Sequence, residues 1–184
     1  VSEPVFLLGT DPDDEHFENP PETRTLSWLL QAVLTATPAE TAVLLEQRTP
    51  QQQQQPNNAA PWKVVAYGGI VPTTDPSTLA IPNDMTTPIL NRFLLATTAE
   101  TNDKSSNPPQ PQESYLPTLQ ALPGRTEFVT YLPINTQAVL LVPLRAQPKQ
   151  QTNRVLVLGA NQAKSLTPRD IAWCQAAVQR VSGP

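Results

Sequence analysis

Hydrophobic positions recur along the chain in short blocks whose spacing alternates between helical and strand periods. From Glu22 to Ala36 the apolar residues lie three and four positions apart, which predicts an amphipathic helix. The blocks at 41–46 and 62–71 are short, apolar and rich in strand formers, and a tract of proline, glutamine and asparagine separates them. These two blocks predict buried strands joined by a solvated loop.

The same alternation continues through the second half of the chain. A helix is predicted from about Pro88 to Ala96, a short strand over 115–122 that Pro117 interrupts, and two well-marked strands over 138–144 and 154–159. Near the start, Val5 to Leu8 is expected to form an edge strand or an anchor, and the Gly68-Gly69 pair indicates a bend or bulge.

The last helix carries the clearest local signals. Thr167 is the predicted N-cap, Pro168 takes the first helical position, and Asp170 takes the third, as in a capping box with Asp in place of Glu. An apolar stripe predicts the buried face and consists of Ile171, Cys174, Ala177, Val178 and Val181. We expect Trp173, which lies off this stripe, to belong to the core.

The order of elements is helix, two strands, helix, three strands and helix. Hairpin-type connections of this kind predict an α+β fold, with helices packed on a largely antiparallel sheet of about five to six strands. We expect one domain over 22–183, with polar loops at 48–60 and 98–113, preceded by an extended acidic segment over 1–21.

The composition argues against binding to nucleic acid and against a membrane-spanning helix within these residues. The 184 residues include 22 prolines and carry a net charge of −4, and seven of the 16 acidic residues precede Thr23. No stripe of basic residues interleaved with aromatic ones occurs, so nucleic-acid binding is not expected. No apolar run approaches the ~20 residues that a membrane-spanning helix needs.

Candidate chemistry is sparse. Cys174 is the only cysteine, which excludes an internal disulfide, and it is expected to act as a small buried hydrophobic residue. His16, the only histidine, lies in the acidic segment and is expected to be a solvated surface residue. No phosphate-binding glycine loop, zinc-protease motif or serine-hydrolase motif is present, so we predict no catalytic residue and no metal site.

Several ordered blocks in the second half resemble one protein family. They are the run from Leu122 to Phe128, the run from Leu132 to Leu140, Pro143-Leu144, the run from Val157 to Asn161, and the run from Leu166 to Trp173. With this spacing the chain resembles the proteins of cyanobacteria and plastids that serve in cofactor assembly of complex C, of the CCB2/CCB4 type, and its soluble part looks like a GAF domain.

This resemblance implies a role in maturing cytochrome b6f. Members help attach the extra c-type haem of cytochrome b6 covalently, so the implied partners are apocytochrome b6 and a sister assembly factor, with a homo- or heterodimer as one arrangement. The implied location is the thylakoid membrane, reached through a hydrophobic segment outside this chain, with the domain on the cytoplasmic (stromal) side. Transient contact with haem is implied, whereas no bound cofactor is predicted.

Four residues of the matching blocks are candidates for contacting a partner: Arg125, Glu127, Asn135 and Thr136. An arginine beside a cleft could pair with a haem propionate or with a partner's carboxylate. Alternatively, Arg125 bonds turn carbonyls or Glu127 and holds the loop together. Asn135 and Thr136 could likewise face a partner, or satisfy the backbone groups of their own turn.

Two other functions remain open from the sequence. A GAF-like domain could instead be a sensory module that binds a small molecule or a tetrapyrrole, a hypothesis that rests on fold analogy alone. An enzyme that performs the thioether ligation itself would need a group that handles protons near the haem. We favour assembly by protein binding over both alternatives.

Overall fold

The computed structural model describes residues 6–7, 20–48, 61–72, 79, 81, 87–99, 113–144 and 153–182. The strands are β1 (Phe6–Leu7), β2 (Thr41–Gln47), β3 (Trp62–Gly69), β4 (Ser114–Leu116), β5 (Ala138–Leu144) and β6 (Arg154–Ala160). The α-helices are α1 (Pro20–Ala36), α2 (Pro88–Ala99) and α3 (Pro168–Ser182). His16 and the glutamine tract lie outside the described residues.

The strands form one antiparallel sheet in the order β1-β3-β2-β6-β5-β4. The predicted α+β class, with a sheet of about five to six strands, is confirmed. β2 and β6 lie in the middle and read as continuous apolar runs because side chains on both faces of these strands are buried. β4 pairs only with Val139 to Leu141 of β5. Pro143 of β5 lies beyond this pairing, so the N–H that proline lacks is not needed to bond β4.

Each face of the sheet carries its own hydrophobic core. Alternate residues of a strand point to opposite faces, so Ala42 and Leu44 join one core while Val43 and Leu45 join the other. Helices α1 and α3 cover the first face, and α1 contributes residues at the predicted helical spacing: Leu26, Leu29, Leu30 and Val33. Helix α2 and the chain between β4 and β5 cover the second face.

Helix α3 begins with the predicted capping box. The backbone N–H of Thr167 donates to Asp170 Oδ2 at 2.8 Å, and the backbone N–H of Asp170 donates to Thr167 Oγ1 at 3.3 Å. These bonds satisfy donors that the first turn of a helix leaves unpaired. Cys174, Ala177 and Val178 are buried, as the predicted stripe requires.

Four local predictions need correction. Trp173 does not lie in the core: its side chain is 42% exposed, because its position falls beside the buried stripe of α3. The strand predicted over 115–122 ends at Leu116, since Pro117 interrupts it. Helix α2 continues to Ala99 rather than ending at Ala96. The pairing irregularity of β2 and β3 lies opposite Leu44 and Leu45, whereas Gly68 and Gly69 pair regularly.

Candidate functional site

The chain between β4 and β5 carries all four of the predicted partner-contacting residues. It runs through two short 3₁₀ helices, Leu119–Ala121 and Pro123–Glu127, and then through turns to Gln137. The N–H of Leu119 donates to the carbonyl of Gln137 at 2.6 Å, which ties the two ends of the segment together. The N–H of Gln137 donates to Ala160 of β6 at 2.8 Å, so the closed segment is also anchored to the sheet.

This segment encloses a cleft, which we call the 119–136 cleft, with a volume of about 190 Å³. Its walls are mostly apolar, and they comprise Leu119, Gln120, Arg125, Thr126, Phe128, Val129, Leu132, Pro133, Ile134 and Thr136. Two of these apolar side chains also face solvent, since Ile134 is 83% exposed and Val129 is 46% exposed. Ile134 is the most exposed of the large apolar side chains in the described ranges, and Val129 beside the same cleft extends the exposed apolar surface.

Arg125 is held in place across the cleft by a chain of hydrogen bonds. Its guanidinium donates to the side-chain carbonyl of Gln120, and the amide of Gln120 donates to the backbone carbonyl of Thr136 at 3.1 Å. Thr136 is itself buried, so the chain ends on a fixed point. Arg125 therefore contacts Gln120 rather than Glu127, which was one of the partners that the sequence offered for it.

Glu127 lies beneath the cleft and points toward the second core. It is 1% exposed, and its two carboxylate oxygens accept the backbone N–H groups of Ile89 at 2.8 Å and Leu90 at 3.1 Å. These are donors of the first turn of α2, so Glu127 caps a helix from a distant part of the chain. Burial raises the pKa of Glu127 to about 7, although both backbone bonds lower it.

Two further polar groups are buried on this side of the sheet. The hydroxyl of Tyr131 and the indole N–H of Trp62 have no hydrogen-bond partner among the described residues. Burial raises the pKa of Tyr131 well above its usual value, and the charge of Glu127 adds to the effect. Phe128 packs edge-on against Tyr131, with ring centroids 6.0 Å apart. Among the described residues, large aromatic side chains thus pack together beneath the cleft.

The four predicted partner-contacting residues consequently take different positions. Arg125 and Thr136 both line the cleft, and Asn135 lies in the exposed turn beside it. Glu127 offers no exposed oxygen, and we leave it out of the candidate surface. Sequence reasoning did not single out Gln120, Val129 or Ile134; the one signal for Ile134 was an apolar residue within a polar Pro-Asn-Thr turn.

No group of three or more His, Cys, Asp or Glu side chains in the described ranges is placed to bind a metal ion. Burial, reinforced by the nearby charge of Asp170, raises the pKa of Cys174 to about 12, so its thiol stays protonated and unreactive at neutral pH. None of the helices in the described ranges is both long and apolar enough to cross a membrane.

The helices on the opposite side of the sheet also carry exposed aromatic side chains. Trp28 of α1 and Trp173 of α3 are each 42% exposed, and Arg180 stacks over the ring of Trp28 at 5.6 Å from its centroid. Arginine stacking on an indole ring is a favourable contact even at a surface. These two helices contain none of the predicted site residues.

Comparison with known proteins gives a family match over most of the chain. The model of the CCB2/CCB4 family, whose members serve in cofactor assembly of complex C, matches residues 15–181. The chloroplast protein CCB4 of Arabidopsis thaliana, a cofactor-assembly protein of complex C, is 41% identical over 61 residues, which are 33% of this chain and 18% of that protein. The chain therefore matches less than a fifth of the length of this relative.

Solved structures with a similar fold include GAF domains. The third GAF domain of Slr1393 from Synechocystis sp. PCC6803 has a TM-score of 0.57 at 7% identity, covering 88% of this chain and 90% of that one. The GAF domain/HD domain protein from Geobacter sulfurreducens has a TM-score of 0.56 at 10% identity, covering 88% of this chain and 89% of that one. The type II free methionine-R-sulfoxide reductase from Thermoplasma acidophilum has a TM-score of 0.53 at 12% identity, and the two coverages are again 88% and 89%. The GAF-like fold is confirmed, and identities this low carry no more than the fold.

Proposed function

The chain belongs to the CCB2/CCB4 family of cofactor assembly of complex C, and from this premise we propose that it is a non-catalytic assembly domain that acts by binding protein. In this proposal it helps the covalent attachment of the extra c-type haem to cytochrome b6 during cytochrome b6f biogenesis. Its partners are apocytochrome b6 and a sister factor of the same family. It acts at the thylakoid membrane, on the cytoplasmic (stromal) side, through a membrane segment outside this chain.

The observation that carries this proposal is the exposed apolar rim of the 119–136 cleft. Ile134 and Val129 face solvent beside Arg125, on a segment that one hydrogen bond closes on itself and a second anchors to β6. Arginine and large apolar side chains at the centre of a patch are typical of protein-binding surfaces. No Ser, Cys, His, Lys, Asp or Glu is among the described residues that line the cleft.

The chain offers matched variants that test this surface. In cells that depend on this protein, Ile134→Ser and Arg125→Gln should each reduce the fraction of cytochrome b6 that retains haem after denaturing electrophoresis, measured by the peroxidase activity of haem. Ile70→Ser is the control for the loss of an exposed isoleucine, since Ile70 is 48% exposed and lies outside the cleft. Arg169→Gln, on the surface of α3, is the control for the loss of an arginine.

The cell experiment has a clear opposing result. If both cleft variants mature cytochrome b6 as well as their controls do, while the protein accumulates to the same level, the cleft is not the functional surface. If all four variants fail alike, a general loss of folding explains the result, and circular dichroism of the purified variants separates this outcome from a specific one.

The alternative function, a sensory module for a small molecule or tetrapyrrole, has less support. Ligand pockets usually enclose about 300–1,000 Å³, whereas the cleft encloses about 190 Å³. Beneath it, the described residues of the second core include the fully or almost fully buried Trp62, Tyr131 and Leu141. A haem titration followed by absorbance decides between the two: an unchanged Soret band at micromolar protein is expected from the assembly function.

A further inference from the structure

Resting on the proposed binding function, we infer that the 119–136 cleft receives one short extended segment of a protein, in which an apolar side chain lies next to a carboxylate. The apolar side chain enters the cleft, and the carboxylate pairs with Arg125. Three properties of the cleft support this inference: its shape, the charge of its lining and the way in which Arg125 is held.

The volume of the cleft suits a single side chain. An apolar cavity of about 150 Å³ accommodates a benzene molecule, so about 190 Å³ holds one leucine-, methionine- or phenylalanine-sized group with little space to spare. The walls that would contact it are apolar, with Leu119, Phe128 and Leu132 at the buried end. Ile134 and Val129 at the rim would then contact the residues that flank the inserted side chain.

The charge of the cleft favours an anionic neighbour. Arg125 is the one charged residue among the lining residues, and no acidic side chain lines the cleft. Glu127, two positions away in sequence, is turned inward to cap α2 and does not neutralise Arg125. A guanidinium has five N–H donors in a fixed plane. The contact of Arg125 with Gln120 leaves other N–H groups that can donate hydrogen bonds to a carboxylate.

Arg125 is also positioned before any partner arrives. The bonds from Arg125 to Gln120 and from Gln120 to the buried Thr136 favour an orientation of the exposed arginine beside the cleft. Binding then costs less side-chain entropy than it would with a freely moving arginine. Because the segment itself is tied at Leu119 and Gln137, the apolar walls and the cation keep a fixed separation.

A direct test uses short peptides and the whole 184-residue chain. Three acetylated and amidated Gly/Ser peptides, with Leu-Asp, Leu-Asn or Ala-Asp at the centre, are titrated at low-millimolar concentration into the ¹⁵N-labelled protein. Amide resonances of Val129, Ile134 and Thr136 should shift with the Leu-Asp peptide. Affinity should fall about two- to fivefold for the Leu-Asn peptide, as expected for one exposed ion pair, and it should also fall for the Ala-Asp peptide.

Variants of the protein identify the source of the acid preference. In Arg125→Gln the Leu-Asp and Leu-Asn peptides should bind equally, whereas Arg169→Gln should keep the preference of the wild type. Raising the salt concentration should reduce the preference, because salt screens an exposed charge pair. Unchanged resonances of β2 and β6 show that each variant is folded.

Three results would overturn the inference. The first is that no peptide shifts the amide resonances at the cleft, and the second is that the Leu-Asp and Leu-Asn peptides bind the wild type equally. The third is that haem displaces the peptide and shows a shift of its Soret band that Arg125→Gln abolishes. Failure of the proposed function is distinguishable from these. If the peptides bind as expected but Arg125→Gln supports normal haem attachment in cells, the peptide site stands and the assembly role of the cleft does not.

Discussion

Glu127 is the side chain that joins the cleft segment to helix α2. Its carboxylate accepts two backbone N–H groups from residues that lie 38 and 37 positions earlier in the chain, Ile89 and Leu90. The positive end of a helix favours such an anion, but burial opposes the charge and raises the pKa of Glu127 to about 7. The ionisation of this one group therefore affects how firmly the two elements hold together.

Glu127→Gln should change the pH dependence of stability. Between the ordinary glutamate pKa of about 4.5 and the folded value of about 7, the folded wild type holds a proton that the unfolded chain has released. The free energy of unfolding of the wild type should therefore fall as pH rises through this window and level off above it.

The variant lacks this titration, so the wild type minus variant difference should fall by about 1–3 kcal/mol between pH 5 and pH 8. Urea unfolding at the two pH values measures it. A constant difference would show that the carboxylate ionises in the folded protein as it does in the unfolded chain, and a difference that grows with pH would show that folding lowers its pKa; either result contradicts the prediction.

Cys174 should be unreactive until the protein unfolds. Its side chain is fully buried on α3, and its thiol pKa is raised to about 12 by burial, so thiolate is scarce at pH 8 in the folded state. A chromogenic disulfide reagent should label the native protein slowly, and labelling should become rapid in denaturing urea. Fast labelling of the native protein at a rate independent of urea would contradict the burial of this residue.

Single residues show where sequence patterns stop being informative. The stripe of α3 predicted the burial of Cys174, because that burial follows from helical spacing alone. The position of Glu127 depends on a contact with a helix 37 residues away, which no local pattern encodes. Trp173 was expected in the core, yet its position on the helix leaves it 42% exposed. The exposure of a helical side chain depends more on the face of the helix on which it lies than on how hydrophobic it is.

At the scale of elements, regular structure was predictable and irregular structure was not. The range of β5 matches its prediction at both ends, and α3 begins at the expected proline, because periodicity and capping residues act locally. The cleft segment from Pro117 to Gln137 has no period. Its shape is fixed by long-range bonds such as those from Leu119 to Gln137 and from Gln137 to Ala160, so the cleft emerges only from the folded chain.

Gly69 ends β3 in a conformation that other residues rarely adopt, with φ at +79°. A Cβ there would lie 2.1 Å from the backbone carbonyl oxygen of Glu40, which accepts the N–H of Ile70. Gly69→Ala should therefore lower the free energy of unfolding by more than about 2 kcal/mol, from the unfavourable φ together with the backbone clash. Thermal unfolding followed by circular dichroism measures the loss.

Gly124→Ala provides the comparison for this prediction. Its Cβ would meet the end of the Ile89 side chain at 2.9 Å, a flexible group that can rotate away. We expect a change within about 1 kcal/mol. If the two variants destabilise the protein equally, the close approach of Gly69 to Glu40 does not control the end of β3.

At the scale of the whole molecule, one sheet serves two cores. The strands bury alternate residues under α1 and α3 on one face, and under α2 and the cleft segment on the other. The cleft segment therefore packs on the second core. The positions of Arg125 and Ile134 depend on that packing. The family blocks in the sequence fall largely on β5, β6, α3 and this segment, which explains why they were recognisable together.

The shared sheet leads us to propose that 22–183 unfolds as one domain. Loss of the α2 layer alone would expose Val43, Leu141 and Val157, each fully buried in the second core, so partial unfolding is costly. Leu30→Ala in the first core and Leu90→Ala in the second should each cost about 2–5 kcal/mol. Each variant should lower the midpoint of a single urea-unfolding transition and should not split the unfolding into two transitions.

Two spectroscopic probes test this cooperativity. The chain has three tryptophans, and Trp28→Phe with Trp173→Phe leaves the buried Trp62 to report on the second core by fluorescence, while far-ultraviolet circular dichroism follows the helices. Coincident urea transitions are expected in this background and in both leucine variants. If Leu90→Ala makes the fluorescence transition precede the loss of helix, the α2 layer is a separate unit, and the cleft segment packed on it would open before the sheet unfolds.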